Sequence, residues 1–154
     1  MYYSEEETSN FKKVFSLIAP TVEKFANEHQ LFIEKYYYGG PNWTLVFGRK
    51  IGGVAQIYMN YLSDNNFIIR AMWYVDEVET ETRHAKNVEI GTYTFNNDLE
   101  KLSTILNKAL SLIKSWSLKD LDVHHGDMTQ WGRQGKTKEY FEEEIKKRYP
   151  ILDV

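Results

Sequence analysis

The chain contains no cysteine. A disulfide framework, a thiolate nucleophile, a zinc–thiolate site and an iron–sulfur cluster are therefore excluded, and a reducing compartment is favoured. No apolar run approaches the roughly 18 residues that mark a membrane-crossing helix. The opening segment, Met1 to Asn10, carries three consecutive glutamates where a signal peptide would place basic and then apolar residues. The expected location is cytoplasmic. Cations are outnumbered, 19 against 22 acidic side chains, for a net charge of −3. Phosphate neutralisation supplies most nonspecific nucleic-acid affinity, so this balance argues against a nucleic-acid partner. G-x-S-x-G, H-E-x-x-H and G-x-G-x-x-G are all absent, which removes the most familiar motif-bearing enzymes.

What remains is a chain of 154 residues, 42% hydrophobic and 27% charged. That is the composition of a globular protein, with a length suited to one domain. Aromatic residues reach 15%, with eleven tyrosines and four tryptophans. Because Tyr and Trp join an apolar body to a polar tip, some of these rings are expected at a binding surface.

Ser4 and Glu7 form a capping-box pair, so a helix should begin there. Phe11, Val14, Phe15, Ile18, Val22, Phe25 and Ala26 then recur at spacings of three and four, tracing one helical stripe to about His29. Pro20 lies inside the stripe and lacks an N–H, which predicts a kink or a fresh helix starting at Pro20. From Leu31 the period changes to two. Gly39-Gly40-Pro41, Gly52-Gly53 and Ser63-Asp64-Asn65-Asn66 punctuate four strands: Leu31 to Tyr38, Asn42 to Arg49, Val54 to Leu62, and Phe67 to Asp76. A fifth is expected near Val88 to Phe95. Connections this short cannot make a parallel crossover, so the strands should form an antiparallel meander.

Alternation puts Trp43, Leu45, Phe47, Ala55, Ile57, Met59, Tyr61, Phe67, Ile69, Ala71, Trp73 and Val75 on the side that meets the helices. The opposite side mixes polar and large apolar groups: Thr44, Val46, Gln56, Tyr58, Asn60, Ile68, Arg70, Met72 and Tyr74. Asn96 or Asn97 can cap a second long helix whose apolar stripe runs from Leu99 through Leu102, Leu106 and Leu110 to Trp116. Ser117 to Lys136 reads as irregular. A short helix from about Thr137 to Arg148 follows, with Glu142–Lys146, Glu143–Lys147 and Glu144–Arg148 at i,i+4, and Pro150 ends it. The expected fold is α+β: a four- to five-stranded antiparallel meander against an N-terminal helix and a long helix in the C-terminal half.

Four sets of residues stand out for chemistry. His124, His125 and Asp127 are the one cluster of metal-type ligands, but adjacent histidines diverge in an extended chain, so no metal or other cofactor is expected. Gly48-Arg49-Lys50-Ile51-Gly52-Gly53 lacks phosphate-loop spacing and joins two strands, which makes it a hairpin turn with two exposed cations. Trp131, Gly132, Arg133, Gly135 and Lys136 read either as a partner-contact loop or as an ordinary turn with a tucked indole. Asp76, Glu77, Glu79 and Glu81 form an acidic run directly after Trp73 and Tyr74. It reads either as a solvated loop or as a docking site in which carboxylates attract a basic protein partner and the aromatics anchor it.

A capped N-terminal helix, a short-turn meander rich in Trp and Tyr, an acidic loop and then a long helix, together covering Ser4 to Trp116, resembles small immunity proteins of bacterial toxin systems. The resemblance is one of organisation and surface chemistry. It implies a cytoplasmic, non-catalytic protein that neutralises a cognate toxin by covering an essential surface, and it assigns no individual residue. A small-ligand-binding domain and an enzyme without a recognisable motif are the alternatives.

Overall fold

In the computed structural model, which describes residues 3–36, 41–125 and 136–152, Ser4 caps the first helix as expected, while the Glu7 carboxylate receives the Ser4 hydroxyl rather than its backbone N–H. The Ser4 hydroxyl accepts from the Glu7 amide at 3.1 Å, and α1 runs from Glu5 to His29. Its buried residues are the seven of the apolar stripe, Phe11 to Ala26. Pro20 does not divide it, so the fresh helix expected there is not formed. A proline inside a helix costs about 3 kcal/mol. Phe15, Ile18, Val22 and Phe25, buried on either side of it, offset that cost by each removing a large apolar side chain from water.

Among the described residues the sheet has seven strands, where four or five were expected. The first four are β1 (Phe32–Tyr36), β2 (Asn42–Arg49), β3 (Val54–Tyr61) and β4 (Asn66–Glu77), followed by β5 (Thr82–Thr94). These five form the expected antiparallel meander in sequence order. β5 begins six residues earlier than Val88, and its pairing with β4 is broken by a bulge at Ile69/Arg70. Leu99–Ser115 forms α2. Its cap is Asp98, whose carboxylate accepts from the Lys101 amide at 3.3 Å, rather than Asn96 or Asn97. Asn97 instead takes a left-handed φ of 70°, and Asn96 receives the Asp98 amide.

The stretch read as irregular holds a strand, β6 (Asp122–His125), antiparallel to β5 on the sheet's outer edge. α3 spans Lys138–Arg148, capped by Thr137. Its ion pairs close at i,i+3, Glu143 with Lys146 at 3.1 Å and Glu144 with Lys147 at 3.5 Å. After Pro150, β7 (Ile151–Leu152) pairs in parallel with Gly48 and Arg49 of β2, the one parallel contact of the sheet among the described residues.

The strand faces are as alternation requires. From Trp43 to Trp73, every residue assigned to the helix side is buried. Phe15 meets Trp43 edge-on at 4.2 Å between ring centroids and Phe67 at 5.6 Å. α2 packs across β3, β4 and β5 with α1 beside it. Both long helices therefore lie on one face, and the second face is left to α3.

α3 crosses that second face diagonally. At its start the Lys138 amide donates to Glu79 beyond the end of β4. At its middle Ile145 sits over Gly48, where an added side chain would collide with Ile145 and Ile151. Just past its end, Tyr149 packs against Phe32 of β1 and donates to Glu34. No residue of α3 is buried.

Candidate functional site

Only half of the acidic run is a loop. Asp76 and Glu77 belong to β4, and the turn to β5 is made by Val78 to Glu81, with Glu81 in a left-handed conformation at φ 51°. Arg83 of β5 stands opposite Asp76 and grips both of its carboxylate oxygens, at 2.6 and 3.0 Å. The same guanidinium lies 4.7 Å from the Tyr74 ring centroid. Glu77 faces His84 at 3.6 Å. Glu79 accepts the Lys138 amide at 2.8 Å, and this backbone hydrogen bond holds its carboxyl below the ordinary value. It acts as a second cap for α3, satisfying a donor that the helix itself leaves open.

The six residues expected to contact a partner thus separate. Trp73 is fully buried in the core, with its indole N–H donating to the Gly52 carbonyl at 3.0 Å, so it has no surface to offer. Asp76 and Glu79 are engaged within the molecule. Tyr74, Glu77 and Glu81 retain exposed surface.

The β2–β3 turn is a hairpin, with Gly52 and Gly53 at φ 108° and 83°. Its two cations are not alike, however. Arg49 is 4% exposed. Its guanidinium lies 4.0 Å from the Trp73 ring centroid and donates to the Trp116 carbonyl at the C-terminus of α2 at 2.8 Å.

His124 and His125 lie on β6, opposite Arg83 and Thr82, where consecutive side chains point to opposite faces. Asp127, with Trp131, Gly132, Arg133 and Gly135, lies outside the described residues. Among the described residues no three His, Asp or Glu side chains are grouped as metal ligands. No serine or threonine hydroxyl among them is hydrogen-bonded to His84.

The half of the second face that α3 leaves open belongs to the mixed side of the sheet, where sequence reasoning named no contact residue. A shallow depression of about 390 Å³ is bordered there by Glu34, Tyr36, Thr44, Gln56, Tyr58, Arg70, Met72 and Asn87. The register explains the grouping. Glu34 pairs with Thr44, Thr44 with Tyr58, Tyr58 with Arg70, and one step along Gln56 pairs with Met72 and Met72 with Asn87. Glu34 accepts from Tyr36 at 3.0 Å and from Tyr149 at 3.2 Å. Burial, with Glu34 adding to it, pushes the Tyr149 phenol up to about 12. The signal was present in the sequence as Gln56, Tyr58, Arg70 and Met72 alternating with a wholly apolar set. The contributions of Glu34, Tyr36 and Asn87 depend on strand order.

A second cleft, of about 350 Å³, lies between α3 and the β3–β4 hairpin. Its walls include Tyr74, Phe141 and Tyr149, but also Asp76, Lys136, Lys138, Glu142 and Arg148. This is a charged, open groove, unlike the closed apolar cavity that a small-ligand domain would need.

Comparison with family models, characterised proteins and solved structures gives no match. The functional reading therefore rests on geometry and chemistry. No helix among the described residues is long and apolar enough to cross a membrane.

Proposed function

We propose that this chain is a non-catalytic protein-binding domain of the immunity type, which neutralises a cognate toxin by covering an essential surface of it. The observation that carries this reading is the open half of the second sheet face. Two long helices on the opposite side supply most of the core, and at Gln56, Tyr58, Arg70 and Met72 this face is only half-buried. Yet the face is not surfaced with short, fully solvated side chains. It presents Tyr36, Tyr58, Arg70 and Met72, residue types that carry much of the energy in protein interfaces. The shallow form of the depression suits a macromolecular surface better than an enclosed small molecule. Glu77 and Glu81, at the hairpin beside the start of α3, add a rim that attracts a basic region of the partner.

The test is protection. Cells expressing the toxin encoded beside this gene should grow when the chain is co-expressed and die when it carries Tyr58→Ala with Met72→Ala. Calorimetry on the purified pair should show a stoichiometric complex. Turnover of a small molecule by the purified chain would overturn the reading.

A further inference from the structure

We propose that the open half of the second face takes a carboxylate side chain, an aspartate or glutamate of the partner protein, onto the guanidinium of Arg70. This rests on the protein-binding reading above and specifies the chemistry at its centre.

Arg70 is half-buried in the middle of the sheet, with Tyr58 beside it on β3 and Met72 two residues along on β4. Among the described residues no hydrogen bond or ion pair engages its side chain. This is unusual for its position, because two carboxylates are near. Glu89 stands opposite Arg70 in the β4–β5 register, but the bulge at Ile69/Arg70 interrupts the ladder there and no ion pair closes between them. Glu34 borders the same depression from β1, beyond β2 and β3, and its two oxygens are taken by the phenols of Tyr36 and Tyr149. The side chains of Gln56, Tyr58 and Asn87, which border the same depression, also make no hydrogen bond within the described chain. The patch is therefore rich in unused donors around a planar fork of five N–H groups, and a carboxylate matches that fork with two parallel hydrogen bonds.

The alternative acceptor on a flat, tyrosine-bearing sheet face is a nucleic-acid backbone. Such a backbone presents a charge at every step and is held by several cations. Here a single guanidinium stands with Glu34 and Glu89 nearby, too little positive charge to hold a chain of phosphates but enough to pair with one carboxylate. A protein side chain is the occupant that this charge pattern fits. The stems of Tyr58 and Met72 exclude water from the pair, which strengthens it.

The experiment uses a displayed library of random peptides selected on the full chain, with selected peptides synthesised and measured against purified variants by biolayer interferometry. The expected result is enrichment of Asp- or Glu-bearing peptides that perturb the backbone amides of Gln56, Tyr58 and Met72. Arg70→Gln should weaken them by about tenfold or more, the loss of a charge-assisted pair. Arg70→Lys should recover part of this, since an ammonium keeps the charge but not the fork. Equal thermal midpoints for the variants establish that the fold is intact. Face-binding peptides that lack acidic residues, or that bind Arg70→Gln as tightly as the parent, overturn the carboxylate assignment and leave the protein-binding reading standing. A library that yields no peptide perturbing this face counts against the protein-binding reading itself. Arg70-dependent binding of a single-stranded oligonucleotide overturns both.

Discussion

The Arg49 guanidinium is stacked on Trp73, 4.0 Å from the ring centroid, with its outer nitrogen hydrogen-bonded to the carbonyl of Trp116. A buried cation would ordinarily need a carboxylate. Here the negative end of the α2 dipole and the face of an indole supply the compensating charge. Desolvation pushes the guanidinium below its ordinary value. Arg49→Lys keeps the charge but loses the planar stack and the fixed donor, and should lower stability by about 1–3 kcal/mol. Arg49→Met removes the buried charge as well and should cost less. Urea unfolding of the two variants gives the order, and a lysine variant as stable as the parent would refute the argument.

Glu79 and Lys138 make a pH-dependent contact. The Glu79 carboxylate accepts the Lys138 amide, and that bond lowers its pKa from an ordinary value of 4.5. A carboxyl whose folded pKa is depressed contributes its stabilisation above the unfolded value and loses it as pH falls through the folded one. Acidification below 4.5 should therefore release the start of α3. The Lys138 amide resonance should shift upfield along a titration curve centred below the usual glutamate range, and Glu79→Gln should abolish that curve. A curve centred at the ordinary value would show that the bond does not persist in solution.

The faces of β2, β3 and β4 were legible in the sequence because each side chain's side is set by its neighbours one and two residues away. Ile57, Ile69 and Trp73 are buried where period-two alternation places them. What escaped was decided by partners far along the chain. Arg49 reads as a turn cation until Trp116, 67 residues on, arrives beside it. Glu79 reads as a solvated acid until Lys138, 59 residues on, presents its amide. β6 has four exposed residues and no alternation to announce it, so its pairing with β5 alone defines it. The open face was half legible: its outward residues on β3 and β4 were identified, but that α3 covers one half of the face and leaves the other depends on where Gly48 admits Ile145 and Ile151.

Ile69 is fully buried at the centre of β4. Truncation to alanine removes its transfer free energy and leaves a cavity between the sheet and the helices, so Ile69→Ala should cost about 2–5 kcal/mol. An unchanged chemical denaturation midpoint would contradict the packing described.

Gly48 is the seat of α3 on the second face. A methyl group there would collide with Ile151 and come against Ile145, and tight packing gives such a clash little room to relax. Gly48→Ala should loosen β7 and the end of α3 while leaving α1 and α2 in place. Hydrogen exchange should speed up at Tyr149 and Leu152 and stay unchanged at Leu106. Uniform acceleration would mean instead that the whole sheet had been destabilised.

Under the protein-binding reading proposed above, the carboxylates of the β4–β5 hairpin would make different contributions to association. Asp76 is held by Arg83 at 2.6 and 3.0 Å and its side chain is 9% exposed, so Asp76→Asn weakens the fold, by about 1.5–3 kcal/mol for a charge-assisted pair. Glu77 and Glu81 retain exposed surface. Exposed charges act mainly on the encounter rate, and salt screens them over about 8–10 Å. For a basic partner, Glu77→Gln with Glu81→Gln should slow association severalfold at low salt and flatten its salt dependence, with dissociation and thermal midpoint little changed. Stopped-flow association with the partner that the proposed reading requires, at 20 and 200 mM salt, roughly a threefold change in screening length, measures this directly. An association rate that the double variant leaves unchanged at both concentrations would remove the hairpin from the encounter and place recognition wholly on the open sheet face.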